Sequence, residues 1–303
     1  MKVHINTRTN LNETMLAEEF ELTDSPLYSD FIISQSTICD TSLLNKTIYI
    51  ATEPPLSDHR LWCYSNFDKF HTVITHNPDK EKDNQFPFTI SNNPQYYPTR
   101  ADPSVIPKIT RKNTTIGNRG VFYAGVIGPY EHVKNYFGGI NITKVRRLLG
   151  DEFSKNSASM IIGIGRNGQQ TKVKNWRLDK SKQIKKSNCD FVLALENTML
   201  PNYISEKIWD GFASDRVTLY FGDPNIGEHI PTNCFVDLRP YFNKETGELD
   251  IKSINKIINN MPQVVYDKIL NNARAFRETT LGKHQELQNK LTKLIIDRIN
   301  ETN

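Results

Sequence analysis

Short apolar runs, only a few residues long, recur along this chain with helix-periodic or polar stretches between them, and that alternation limits the folds open to it. Phe31–Ile33, Thr47–Ile50 and Thr72–Ile74 read as buried strands, and Val121–Ala124 reads as another in the first half. In the second half Met160–Ile164, Phe191–Leu195, Val217–Phe221 and Phe235–Leu238 have the same character. Runs that are apolar throughout, rather than alternating, belong to sheets covered on both faces. Between them Asn141–Phe153 places Ile142, Val145, Leu148, Leu149 and Phe153 at helical spacing, Leu178–Asn188 is a Lys-rich helix candidate, and Tyr203–Ser214 sets Ile204, Ile208 and Phe212 on one face. The stretch from Ile251 to Ile299 is helical, carried by Ile254, Ile257 and Ile258 and then by Leu287, Leu291 and Ile295. Strand–helix alternation of this kind builds parallel sheets. A length of 303 residues accommodates two domains. The expectation is an α/β fold of two Rossmann-like domains facing each other across a cleft, residues 1–150 forming one and 151–303 the other. Ligands of such sheets bind outside the carboxyl ends of the strands.

Composition narrows the class. Hydrophobic residues make up 37% and charged residues 24%, ordinary for a globular chain with a sizeable core. The formal charge of +4 is too small to argue for nucleic acid, though it suits a polyanionic small ligand. No run of about 18 apolar residues spans a membrane, and the polar start after Met1 lacks the apolar core of a signal peptide, so the expectation is a cytoplasmic protein. Cys39, Cys63, Cys189 and Cys234 form no C-x-x-C pair, which argues against a zinc knuckle; Cys189 and Cys234 flank apolar runs and read as core residues. The sequons at Asn113 and Asn141 are chance occurrences in an Asn-rich chain. Residues Asp79 to Arg119, rich in Pro, Asn and charge, read as long loops.

The segment Phe191–Pro224 carries the most chemistry. A strand ends at Leu195 and releases Glu196 and Asn197 at its carboxyl end; a loop follows, and a helix is expected to begin near Asn202–Tyr203. Free N–H groups and the helix dipole make such a start attractive to phosphate. Tyr203, Glu206 and Lys207 at i, i+3 and i+4 then share one face, with Lys207 as the cation and Glu206 placed to accept from ribose or sugar hydroxyls. On spacing alone, Glu206 and Lys207 read equally well as solvated surface residues.

The order F-x-L-A-x-E-N, a short loop, Y-I-S-E-K-I-W and a strand closing in G-x-P resembles the donor-site signature of the α1,3/α1,4-fucosyltransferase family, usually F-x-L-x-F-E-N…Y-V-T-E-K…G-x-P. Glu196, Asn197, Tyr203, Glu206, Lys207, Gly222 and Pro224 stand in matching places. The chain departs at Leu195, often aromatic in the family, and at Ser205, usually Thr; the run from Asn225 to Phe242 resembles the family's continuation. The resemblance implies a GT-B-type enzyme that moves L-fucose from GDP-fucose to a saccharide hydroxyl with inversion, giving an α1,3 linkage. It implies donor contacts at Arg166, Asn167, Glu196, Asn197, Tyr203, Ser205, Glu206 and Lys207. Arg166, in the Gly-rich turn Ile162–Gly168, and Lys207 would stabilise the departing diphosphate. It places a catalytic base in the first domain, where Glu53 follows the strand Thr47–Ile50 in Thr52-Glu53-Pro54-Pro55; Asp58 and His59 are the fallback candidates. One Arg of the Arg146–Arg147 pair is implied to face the cleft, and the final helices are expected to pack back on the first domain. No Asp-x-Asp occurs, so no essential metal is expected.

Other readings compete. The donor is open to being a different GDP-sugar. Gly163-x-Gly165-x-x-Gly168 has the form of a dinucleotide fingerprint and would suit an NAD-dependent oxidoreductase, but the residues that follow lack the apolar spacing of a packed helix. The basic stretch Lys172–Lys186 is conceivable as a nucleic-acid patch, yet it has no stacked aromatic pattern for single-strand binding and reads better as a solvated face or an approach path for a nucleotide sugar. A non-catalytic sugar- or nucleotide-binding relative is the remaining option.

Overall fold

The structure, a computed structural model, describes residues 1–7, 11–35, 40–52, 62–76, 78–87, 119–124, 140–162, 184, 187–280 and 283–302. Its strands form two parallel sheets. The first contains β1 (Lys2–Asn6), β2 (Glu21–Thr23), β3 (Phe31–Ser34), β4 (Thr47–Ala51), β5 (Thr72–Thr75) and β6 (Gln85–Pro87), in the order β2-β1-β3-β4-β5-β6. The second contains β7 (Val121–Ala124), β9 (Met160–Ile162), β10 (Phe191–Leu195), β12 (Val217–Phe221) and β13 (Val236–Asp237), in the order β13-β12-β10-β7-β9. A short antiparallel pair joins β8 (Ile140–Asn141) to β11 (Thr198–Met199). Val121–Ala124, expected in the first half, pairs with β10 and β9, so the change of sheet falls between β6 and β7 rather than near residue 150. A four-residue apolar run carries no mark of which sheet it will join; the pairing is a tertiary choice.

Renumbered within its own sheet, each set winds 2-1-3-4-5, with a sixth strand added at the edge of the first. The order reverses between β1 and β3 in one sheet and between β7 and β10 in the other, and the crevice at that reversal is where doubly wound sheets hold ligands.

Both sheets are covered on both faces, which is why their central strands are apolar at every position. On one face of the first sheet Val3, Ile33, Ile48, Ile50 and Ile74 pack against Leu16 of α1 (Glu13–Glu19), while Tyr49, Ala51 and Val73 point the other way onto Leu44, Cys63, Phe67 and Phe70. In the second sheet Val121, Leu193, Leu195 and Leu219 meet Ile142 and also Val145, Leu149 and Phe153 of α2 (Thr143–Ser154). Ala194 and Tyr220 face Ile208, Trp209 and Phe212 of α3 (Glu206–Ala213). Cys189 and Cys234 are buried, as read from the sequence.

The helical tail divides into α4 (Ile251–Asn260), α5 (Gln263–Glu278) and α6 (Lys283–Asn300). The last of these leaves the second sheet and lies on the first, where Leu291, Ile295 and Ile299 are fully buried in the β1–β5 cluster. At about 2 kcal/mol for each such side chain, this contact is strong enough to hold the chain's end on the opposite unit. Gln288 donates to Leu11 O at 2.7 Å and Asn12 N donates to Thr292 Oγ1 at 2.9 Å, which fixes the docking geometry. No helix among the described residues is long and apolar enough to cross a membrane.

Candidate active site at the carboxyl ends of the second sheet

Glu196 directly follows β10, beside the β7/β10 reversal. Its N–H still belongs to the sheet, donating to Phe221 O at 2.9 Å, but its side chain turns under the following loop and is fully buried. There its two oxygens hold the entrance of α3. Oε1 accepts from Ser205 N at 2.8 Å, and Oε2 accepts from Ser205 Oγ at 2.6 Å. Ser205 is the N-cap: its hydroxyl oxygen accepts from Lys207 N, satisfying one of the free donors of the first turn, and also from Lys207 Nζ at 2.8 Å. Lys207 Nζ stands 3.4 Å from Glu196 Oε2 and 3.8 Å from Glu206 Oε1. Burial pushes the Glu196 carboxyl above its usual range, against the pull of the Lys207 charge and the two Ser205 bonds.

The glycine of the G-x-P segment serves this carboxylate. A Cβ on Gly222 would lie 2.4 Å from Glu196 Cγ and 2.5 Å from the Tyr220 hydroxyl. The two halves of the motif are therefore one packing unit, strand end against strand end. Asp223, next in line, is also fully buried: Oδ1 accepts from Asn225 N at 2.9 Å and Asn202 N at 3.2 Å, and burial raises its carboxyl to about 6.

Asn197 points to the other side of β10. Its Oδ1 accepts from Arg146 Nη1 at 2.7 Å and its Nδ2 donates to Tyr203 OH at 3.2 Å. Arg146, on α2, is buried, and its Nε donates to Tyr123 OH on β7 at 3.1 Å. Burial works against the guanidinium's charge, but Tyr123, Tyr203 and Glu196 outweigh it and leave its pKa raised. One arginine thus spans the strand reversal from β7 to the end of β10. Among the described residues no three His, Cys, Asp or Glu side chains group as metal ligands.

Glu196, Asn197, Tyr203, Ser205, Glu206 and Lys207 are brought together here. Two features differ from the sequence expectation. The helix begins at Glu206, not near Tyr203, because Asn202 adopts a left-handed backbone (φ 62°) and Ser205 caps the first turn. Tyr203 therefore does not share a helix face with Glu206 and Lys207; it is buried and bonded to Asn197. Ile204, also ahead of the helix, still packs with Ile208 and Phe212 as the periodicity indicated. Secondly, Glu196 has no exposed surface and acts on Ser205 and Lys207. Glu53, Asp58 and His59 lie outside the described residues, as do Arg166, Asn167, the Gly163–Gly168 turn and nearly all of Lys172–Lys186.

Sequence reasoning passed over Tyr123, His76, Asn202, Asp223 and His229, which join this cluster. Single polar residues just past the ends of apolar strands were the available signal for His76 and Asp223. Arg146 was flagged with Arg147 but not distinguished from it; the helical stripe Ile142, Val145, Leu149, Phe153 includes position 146 on its buried side.

Residues 143–260 match the family described as Glycosyltransferase family 10 (fucosyltransferase) C-term. An alpha-(1,4)-fucosyltransferase of Arabidopsis thaliana is 37% identical over 51 residues, which is 17% of this chain and 13% of that protein. A GDP-fucose protein O-fucosyltransferase 3 of Xenopus laevis is 42% identical over 43 residues, 14% of this chain and 9% of that protein. The chain thus aligns with a small part of the curated relatives it matches. A crystal structure of an alpha1,3-fucosyltransferase shares the fold at TM-score 0.54 and 15% identity, covering 95% of this chain and 92% of that one. Another, solved with GDP-fucose, gives TM-score 0.55 at 17% identity, covering 89% and 81%. The architecture is the GT-B type of two Rossmann-like units, and residues 143–260, which supply Arg146, Glu196, Ser205 and Lys207, are similar to the C-terminal domain of glycosyltransferase family 10, the fucosyltransferases.

Proposed function

We propose that this chain transfers L-fucose from GDP-fucose to a saccharide hydroxyl by a single inverting displacement, forming an α1,3 linkage. The observation that carries the reading is the Lys207 ammonium, held at the start of α3 by Ser205 and Glu196 at the carboxyl ends of the second sheet. A diphosphate set against that helix start meets a fixed cation and the positive end of the helix dipole. Negative charge grows on the diphosphate as its bond to C1 of fucose breaks, so a cation fixed beforehand stabilises the transition state more than the ground state. Arg166 is the second cation in this scheme. Tyr203, Ser205, Glu206 and Asn167 are assigned to the donor, and Asn197 and Glu196 shape and brace the same pocket. Glu53, one residue beyond Thr52 at the end of β4, takes the proton from the acceptor hydroxyl as its oxygen attacks C1. In this division the unit built on β1–β6 holds the acceptor and the unit from β7 onward holds the donor.

The test is a donor panel. GDP-fucose is expected to raise the melting temperature above the values with UDP-glucose, GDP-mannose or NAD, and to release GDP in the presence of a saccharide acceptor. The product is expected to have the anomeric configuration opposite to the donor's. A larger shift with NAD, or turnover of UDP-glucose in place of GDP-fucose, would sink the assignment; turnover of GDP-mannose would move it to another GDP-sugar. Glu53→Gln is expected to keep GDP binding and lose transfer.

A further inference from the structure

His76 follows β5 directly, at the carboxyl end of the first sheet, and is buried to 1% exposure. Its ring bridges the two units. Nδ1 lies 3.0 Å from Asn202 O, in the loop that leads to α3 of the second unit. Nε2 lies 3.4 Å from Thr52 O, at the end of β4 in the first. The contact with the second unit is reciprocal, since Asn202 Nδ2 donates to His76 O at 3.3 Å. The Tyr203 ring packs edge-on against the imidazole, centroids 5.1 Å apart.

Asn202 is itself anchored. Its left-handed backbone turns its N–H to Asp223 Oδ1 at 3.2 Å, and its Oδ1 lies 3.2 Å from His229 Nε2. Behind the histidine there is thus a braced loop tied to the end of β12. In front of it is Thr52, directly after β4, whose next residue in sequence is Glu53. Carbonyl oxygens only accept hydrogen bonds, so both ring contacts form together only when both ring nitrogens carry hydrogen.

We propose that His76 is a positioning residue: its ring, gripping Thr52 on one side and Asn202 on the other, sets the distance between the strand end that leads into Glu53 and the loop that leads into the Lys207 helix. The inference rests on the fucosyltransferase reading for the roles of Glu53 and Lys207, and on the hydrogen bonds alone for the bridge. A displacement needs the attacking oxygen and C1 within about 3–3.5 Å, and slack of 1 Å is enough to cost on the order of 100-fold in rate. A bridge between the units therefore acts on turnover. The Glu196, Ser205 and Lys207 contacts lie wholly in the second unit, and His76 touches the donor residues at the edge of the Tyr203 ring, so turnover is expected to depend on the bridge far more than donor affinity does.

The substitutions separate the two contacts. The amide nitrogen of asparagine falls near Nδ1, so His76→Asn keeps the bond to Asn202 and drops Thr52; His76→Gln does the reverse; His76→Ala drops both. GDP affinity by calorimetry is expected to stay within about twofold of wild type in all three, with kcat lowered at least about tenfold in His76→Ala and by intermediate amounts in the other two, and with KM for GDP-fucose unchanged. Should His76→Ala fail to fold, His76→Gln carries the test, since it gives up the ring's contact with Asn202 O and so severs the ring's link to the second unit. It too should lower kcat at unchanged GDP affinity. A wild-type kcat in His76→Ala or, where that variant does not fold, in His76→Gln overturns the proposal. So does a loss of GDP affinity equal to the loss of kcat, which would make His76 part of the donor site. Wild-type protein that transfers nothing from GDP-fucose would instead overturn the functional reading, and it is the control run first.

Discussion

The Lys207 ammonium stands 3.4 Å from the carboxylate of Glu196, a side chain with no exposed surface. Each needs the other: the buried carboxylate requires a nearby cation, and the lysine is held by its partner in one place at the helix entrance. Lys207→Met is therefore expected to lower turnover and also stability, by about 3 kcal/mol, because it leaves a buried carboxylate uncompensated. Adding Glu196→Gln should return most of the stability and none of the turnover. Urea denaturation of both variants beside their kcat values checks this. Full stability in Lys207→Met alone would show that the pair is not coupled.

Gly222 is expected to tolerate no side chain. A Cβ there would come within 2.4 Å of Glu196 Cγ and 2.5 Å of the Tyr220 hydroxyl, so the Glu196 side chain would have to shift against its Ser205 bonds. Gly222→Ala should cost about 1–3 kcal/mol from overpacking and weaken GDP binding along with it, since the displaced carboxylate is what holds Lys207. Calorimetry with GDP reads the second effect; unchanged GDP affinity would separate Gly222 from the site.

Arg146 serves two oxygens with two different nitrogens, Tyr123 OH with Nε and Asn197 Oδ1 with Nη1. Lysine has one nitrogen and no fork, so Arg146→Lys is expected to lose one bond outright. A buried polar group left without a partner costs about 1–3 kcal/mol. Arg147, half-buried on the same helix, should be replaceable by Lys within about 0.5 kcal/mol. Equal effects at the two positions in thermal or urea unfolding would argue against the assignment of Arg146 to the buried bridge.

Asp223 gives a pH signature. Burial raises its carboxyl from the ordinary 3.8 to about 6. An acid whose folded pKa lies above its unfolded value binds its proton more tightly when folded. Its contribution is fully present below pH 3.8 and is lost as pH rises through about 6. A shift of that size corresponds to about 3 kcal/mol. Asp223→Asn removes the titration, so its stability relative to wild type should climb by about that amount between pH 3.5 and pH 7.5. Urea midpoints at the two pH values test it; a difference independent of pH would place the titration elsewhere.

How much of this was legible beforehand follows the range of the forces involved. The strands, the α2 stripe and the ordered motif from Phe191 to Pro224 are local patterns, and apolar periodicity with turn chemistry exposes them directly. The expectation that Glu196, Ser205 and Lys207 act together came from a resemblance along one stretch of chain, and the cap geometry explains it: the residues lie within 12 positions of one another, so a strand end and a helix start suffice to bring them close. The helix boundary was misplaced because a left-handed Asn202 and a capping Ser205 override a periodicity that continues back to Ile204.

The tertiary structure alone decided which sheet Val121–Ala124 joins, that Arg146 and not Arg147 reaches Asn197, that Gly222 makes room for Glu196, and that His76 meets Asn202 across 126 positions of sequence. Side-chain identity states what bond a residue is able to make; which partner it finds depends on where the strands are stacked and in what order. That order is set by the summed burial of both sheets, to which every strand contributes and which no short segment carries.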